Sequence, residues 1–366
     1  MKWRSTSGGW ALAACAALPG CGAPAPSTSN SPTPPAIVEP ADPPPAPSAD
    51  YEVHEWGLID VMEGGATEIG AGPGHPTSSM SVRKPVLYFH LPAGAAPLEL
   101  DVSARLIGGT IYESFPVAPL PSPDTAHWMA TLSPENCLTP LPAGGEVTGR
   151  ELAPACGAPD GVCEVFDLPG YDASTASCVT VGGARSGMLF YRGVSAPTLP
   201  LRIERSADAS TVSVTATAPM TGAPPMVLRV STRLTGVWPA GTVVLSRAGL
   251  PEVGATVMLP IGTDRVDSGP GRTLIRAELL ASLGALGLDP AEAEAFVNAW
   301  LFGLFSRGGA SGRGSDRSPE VPQDAVIYFL PESAVAAIAD VSITPAPRAL
   351  RRAFMVRVIL PPIPTS

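Results

Sequence analysis

The chain has 366 residues, enough for one or two domains with substantial cores. Its 44 prolines and 38 glycines favour short strands joined by turns over a helical bundle. The formal charge of −10 argues against a nucleic-acid partner, which needs clustered positive charge.

Residues 1–21 read as a lipoprotein-type signal peptide. Lys2 and Arg4 form a positive start, and GGWALAACAALPG is an apolar run too short to span a bilayer. Leu12-Ala13-Ala14-Cys15 has the better lipobox letters, but Leu18-Pro19-Gly20-Cys21 leaves a longer apolar run before it. Cys21 is therefore the expected lipidated residue, with Cys15 the alternative. Removing residues 1–20 takes away both of those cations and no acid, leaving 21 basic and 33 acidic residues, a charge of −12. Residues 22–50 are proline-rich with little to bury, as expected of an extended tether.

From residue 51 to 264 the pattern predicts a mainly β domain, sandwich-like and antiparallel. VHEWGLID is its first strand and KPVLYFHL (84–91) its second. In LELDVSARLI the apolar residues Leu98, Leu100, Val102, Ala104 and Leu106 alternate with polar ones, the mark of a half-buried strand. Gly108-Gly109 turns the chain into TIYESFP. Residues 126–132, 186–194, 199–206, 210–218 and 225–234 continue the series, at a spacing that suits a sandwich. An insertion over 137–178 holds four cysteines. In an exported protein these predict two disulfides; three connectivities are possible, and the short 156–163 loop favours Cys156–Cys163 nested within Cys137–Cys178.

Residues 265–366 change character and predict a smaller α+β region packed on the β domain. RTLIRAELLASLGALG aligns Ile275, Leu279, Leu283 and Leu286 on one helical face. Asp289-Pro290 then supplies an N-cap followed by proline at the first helical position. In the second helix Phe296, Trp300 and Leu304 follow one another at i, i+4, and Glu292, Glu294 and Asn298 are assigned to the opposite, solvent face. DAVIYFLP and RAFMVRVIL read as further strands.

Several motifs invite catalytic readings. His54-Glu55 suggests a zinc peptidase, but H-E-x-x-H needs a second histidine where this chain has Leu58. On a strand, His54 and Trp56 share one face and Glu55 takes the other. Ser81-Val82-Arg83-Lys84 matches S-x-x-K, but Pro85 removes Lys84 from a helix and the chain has no second downstream lysine. Nothing in the spacing of His54, His75, His90 and His127 demands a metal, and neither metal nor cofactor is expected. The catalytic candidates are His54, Glu55, His90 and Glu113. Those for binding are Trp56, Tyr88 and Lys84, the last expected to pair with an acid such as Glu113 or Asp101.

Taken together, HEWG, RKPVLYFH, GGTIYESFP, MLFYRGV and DAVIYFLPES resemble a group of uncharacterised exported bacterial proteins with H-E-W-G-T-F-T and K-P-V-I-Y-F-like motifs. The similarity covers most of residues 51–360. This chain has Leu58-Ile59-Asp60 where the group tends to T-F-T. The resemblance implies a shared fold and an extracytoplasmic location, and it carries no catalytic residue. Two functional readings follow. One is a cell-envelope lipoprotein, periplasmic or outer-membrane-associated, held by its lipid anchor and binding an envelope protein or glycan. The alternative is an extracytoplasmic hydrolase, with or without metal assistance.

Overall fold

The computed structural model describes residues 49–62, 80–140, 170–196, 198–232, 242–261, 265–301 and 323–360. In chain order the strands are β1 (Ala49–Met62), β2 (Met80–His90), β3 (Leu98–Leu106), β4 (Thr110–Phe115), β5 (Thr125–Ser133), β6 (Cys178–Val181), β7 (Ala184–Ser186), β8 (Leu189–Ser195), β9 (Leu201–Arg205), β10 (Thr211–Ala216), β11 (Val227–Thr232), β12 (Thr242–Ala248), β13 (Thr256–Pro260) and β14 (Arg265–Asp267). Helices α1 (Ser268–Ala285) and α2 (Pro290–Trp300) follow, then β15 (Gln323–Phe329), α3 (Glu332–Ala336), β16 (Ala339–Thr344) and β17 (Pro347–Ile359). The fold is mainly β with a small helical part.

The strands form three sheets. The largest runs β14-β12-β11-β15-β17-β1-β2-β8-β4, the second β16-β3-β5-β6-β7, and the third β13-β10-β9. In the large sheet β1 pairs in parallel with β17 and antiparallel with β2. The C-terminal strands β15 and β17 thus lie inside this sheet, with β17 directly beside the first strand. Parallel pairing requires the chain to cross back between the two strands. Here nearly the whole described chain separates them.

The large sheet is covered on both faces. One face puts Val53, Ile59, Leu87, Phe89, Tyr328, Phe354 and Val356 into a core with Leu100, Val102 and Trp128 of the second sheet and Ile203, Val212 and Leu259 of the third. The other puts Trp56, Leu58, Val86, Tyr88, Phe190, Ile327 and Met355 against Ile275, Leu279, Leu283, Phe296, Val297 and Trp300 of the helices. Double covering explains why β8, LFYRGVS, is buried at every position while β3 and β5 alternate. Gly57 is required in this arrangement, because a Cβ there would stand 2.8 Å from the Phe354 ring.

Fixed ion pairs tie the layers together. Arg229 donates to both oxygens of Asp324 on β15 and also to the carbonyls of Ala209, Ser210 and Leu259, joining the large sheet to the third. Cys137 and Cys178 form a disulfide, with Cα atoms 5.1 Å apart. Cys156 and Cys163 lie outside the described residues, as do Cys15 and Cys21.

At the far end of β1, Asp60 accepts from Arg357 Nε and Nη2 at 2.7 and 2.8 Å and from Arg83 Nη1 at 3.3 Å. Burial acts to raise the Asp60 carboxyl, but these two guanidinium groups outweigh it and hold the pKa below its usual value. A depressed carboxyl stabilises the fold above its unfolded pKa of about 3.9, and that contribution is lost as pH falls through the folded value. Asp60→Asn is therefore expected to cost about 1–3 kcal/mol at neutral pH. Urea melts should show the gap to wild type narrowing as pH falls below the unfolded value of about 3.9, and a gap independent of pH would refute the assignment.

Candidate functional site

The site is built from the helix-facing side of two neighbouring strands. In the β1–β2 register His54 lies opposite Tyr88 and Glu52 opposite His90. The strand alternation gives all four the same face. Trp56 and Tyr88 sit deeper along this face and His54 and His90 nearer its rim: His54 is 7% exposed, and the His90 side chain 20%.

The third member comes from α2. Asp289 caps the helix, its carboxylate accepting from Ala291 N at 2.8 Å. Glu292, three residues on, reaches back so that Asp289 N donates to its Oε2 at 2.9 Å. This reciprocal box, with Pro290 at the first helical position, fixes both the helix start and the Glu292 rotamer. The carboxylate is wholly buried and meets both histidines: His54 Nδ1 lies 2.7 Å from Oε2 and His90 Nε2 2.7 Å from Oε1. The two imidazole centroids are 4.4 Å apart.

The outer edges of the rings are also engaged. The backbone of Thr175 hydrogen-bonds to His90, whose Nε2 is already committed to Glu292. His54 Nε2 faces Glu52 Oε2 at 3.5 Å, a charge contact too long for a good hydrogen bond. Glu52 is oriented by Arg348 Nη2 at 2.5 Å and lies 3.6 Å from Arg351 Nε. The Arg348 hydrogen bond is the main reason that the Glu52 carboxyl is held below its usual range.

Burial opposes charge on His90 and on Glu292, yet pairing wins. Burial pushes the His90 pKa down, but the hydrogen bond and charge of Glu292 raise it above the ordinary histidine value. Burial pushes Glu292 up, but the hydrogen bonds and charges of the two histidines bring it below the ordinary glutamate value. His54, His90 and Glu292 each offer one donor atom, all within 4.8 Å of one another, a grouping able to hold a metal ion.

Of the sequence candidates, His54 and His90 converge. Glu55 does not join them: it points to the opposite face of β1, fully buried, and accepts from Tyr191 Oη at 2.6 Å and Arg352 Nε at 2.5 Å. Glu113 is fully buried with Arg192 at 3.2 Å, and Asp101 pairs with His127. Trp56 and Tyr88 expose no surface to a ligand. The Trp56 ring packs edge-on against Tyr171 and Phe296, and the Tyr88 hydroxyl donates to the Tyr171 carbonyl. Their area is used to seat α2 and the 171–176 segment on the sheet. Lys84 lies on β2, and its side chain is outside the described residues, as is His75.

Glu292 corrects the helical-face assignment. It stands one step of i, i+4 before Phe296 and two before Trp300, so it belongs to the buried face and not to the solvent face. That spacing, together with the D-P-x-E capping box, was the available sequence signal. Comparison with protein-family models and with curated proteins returns no match.

Proposed function

We propose that this chain is an exported, lipid-anchored binding module of the cell envelope whose functional centre is the His54–Glu292–His90 cluster. The observation that carries the reading is one carboxylate clamped between two imidazoles from adjacent strands at a partly open rim. Elsewhere among the described residues the deeply buried carboxylates Glu55, Glu113 and Asp324 are bound to arginines, which makes them fixtures of the fold. A centre made of two imidazoles and one carboxylate combines exchangeable protons with lone pairs, so it can take a cationic or hydrogen-bonding ligand. The N-terminal signal features and the proline-rich tether support export and anchoring through Cys21.

Two experiments test the reading. The full-length protein is expected to give no hydrolysis of model ester, phosphate-ester or peptide substrates above buffer. Hydrolysis that disappears in His90→Ala and Glu292→Gln would instead make the centre catalytic and replace the binding reading by the hydrolase one. Cys21→Ala is expected to move the protein from the membrane fraction to the soluble one, and unchanged fractionation would remove Cys21 as the anchor.

A further inference from the structure

We propose that His54 Nδ1, His90 Nε2 and a carboxylate oxygen of Glu292 form a three-ligand site for a divalent first-row transition ion of the Zn2+ class. The inference rests on the same centre as the binding reading and names its ligand. It begins with the ring nitrogens. His54 Nδ1 and His90 Nε2 each lie 2.7 Å from a Glu292 oxygen, while His54 Nε2 stands 3.5 Å from the Glu52 carboxylate.

The two imidazoles stand side by side with centroids 4.4 Å apart and turn one nitrogen each toward the same buried carboxylate. A divalent cation would bind these two nitrogens and a Glu292 oxygen together, three donor atoms that converge within 4.8 Å of one another.

The donor chemistry and the surroundings agree. Two imidazole nitrogens and one carboxylate oxygen suit Zn2+ and its neighbours, and three protein ligands leave a position for water or an exogenous group. Ligand bonds of about 2.0–2.2 Å put the donors of a tetrahedral ion roughly 3.4 Å apart, so the two N···O contacts of 2.7 Å would open slightly and the two nitrogens would settle at that spacing from within 4.8 Å. Metal-bound histidines usually donate their other N–H to a carbonyl or carboxylate; the Thr175 backbone hydrogen-bonds to His90, and the Glu52 carboxylate lies 3.5 Å from His54 Nε2. The three ligands come from two paired strands and the capped first turn of a helix, rigid elements that fix geometry better than loops. His90, the most exposed of the three side chains, gives the ion its entry.

The test uses the full chain, stripped with chelator and dialysed. Titration with Zn2+ against a chromogenic competitor is expected to give one ion per chain. Co2+ in its place should give the visible absorption of a low-symmetry, four- or five-coordinate ion. His90→Ala and Glu292→Gln should each weaken Zn2+ binding by more than the ~10–100-fold typical of losing an outer partner. His127→Ala, at an exposed His–Asp pair on the second sheet, should leave it unchanged. Circular dichroism checks that each variant is folded, and if His54→Ala fails to fold the other two carry the test. Failure to bind stoichiometric Zn2+, or equal affinity in wild type, His90→Ala and Glu292→Gln, would overturn the metal site. Absence of both metal and hydrolysis would overturn the metal and leave the binding reading standing. Zn2+-dependent hydrolysis would do the reverse.

Discussion

Replacing Arg352 by alanine is expected to cost about 3–5 kcal/mol, because it leaves Glu55 as a buried charge without its cation. Arg352 Nε donates to Glu55 Oε2, its Nη1 donates to the Ala339 carbonyl at 2.7 Å, and Tyr191 completes the group from β8. One arginine on β17 thus joins the first strand of the large sheet to the second sheet. The Glu55–Tyr191 bond alone leaves the carboxylate under-compensated. Urea denaturation at neutral pH measures the loss. A Glu55→Gln, Arg352→Met double variant should lose clearly less than the sum of the two single variants, since no unpaired charge remains. A single-variant loss below about 1 kcal/mol would mean that the pair is not the clamp its burial implies.

Trp56→Ala is the second large effect, again about 3–5 kcal/mol, from lost apolar burial and the cavity left behind. The Trp56 ring is fully buried and lies 5.3 Å from Phe296 and 5.8 Å from Tyr171, centroid to centroid. Phe296 follows Glu292 by one turn on the same face of α2. The cavity would therefore open under the helix that holds the carboxylate ligand. Zn2+ affinity should fall in this variant even under conditions where it remains folded, whereas Arg352→Ala, acting on the opposite face of the sheet, should spare it. If Trp56→Ala destabilises the protein but binds Zn2+ as wild type does, α2 is held by other contacts and Trp56 has no part in positioning Glu292.

Much of this fold is legible from local pattern. Alternation in LELDVSARL and TAHWMATLS marks strands with one buried face, and both are observed so. The Ile275, Leu279, Leu283 stripe and the Asp289-Pro290 start mark the two helices. Strand alternation also separates His54 from Glu55 correctly. The cysteine reading gives Cys137–Cys178, the pair that lies within the described residues.

The failures have a common origin. Tyr88 and Trp56 read as binding candidates because a strand has two faces and its sequence does not say that both will be covered. Glu292 reads as solvent-facing because a glutamate in a helix usually is. Its burial depends on partners 202 and 238 residues away, at His90 and His54. The pairing of β1 with β17 is equally long-range.

The sequence by itself determines the elements: a proline-rich stretch, strands by period two, helices by period 3.6, and the orientation of His54 against Glu55. Only the tertiary structure decided that His54 and His90 stand side by side and that Glu292 closes over them. The physical reason is that periodicity and capping depend on neighbours a few residues apart, which the chain records in order. Strand pairing, and the burial of a charge that only a distant partner can compensate, depend on residues hundreds of positions apart, which no local pattern records.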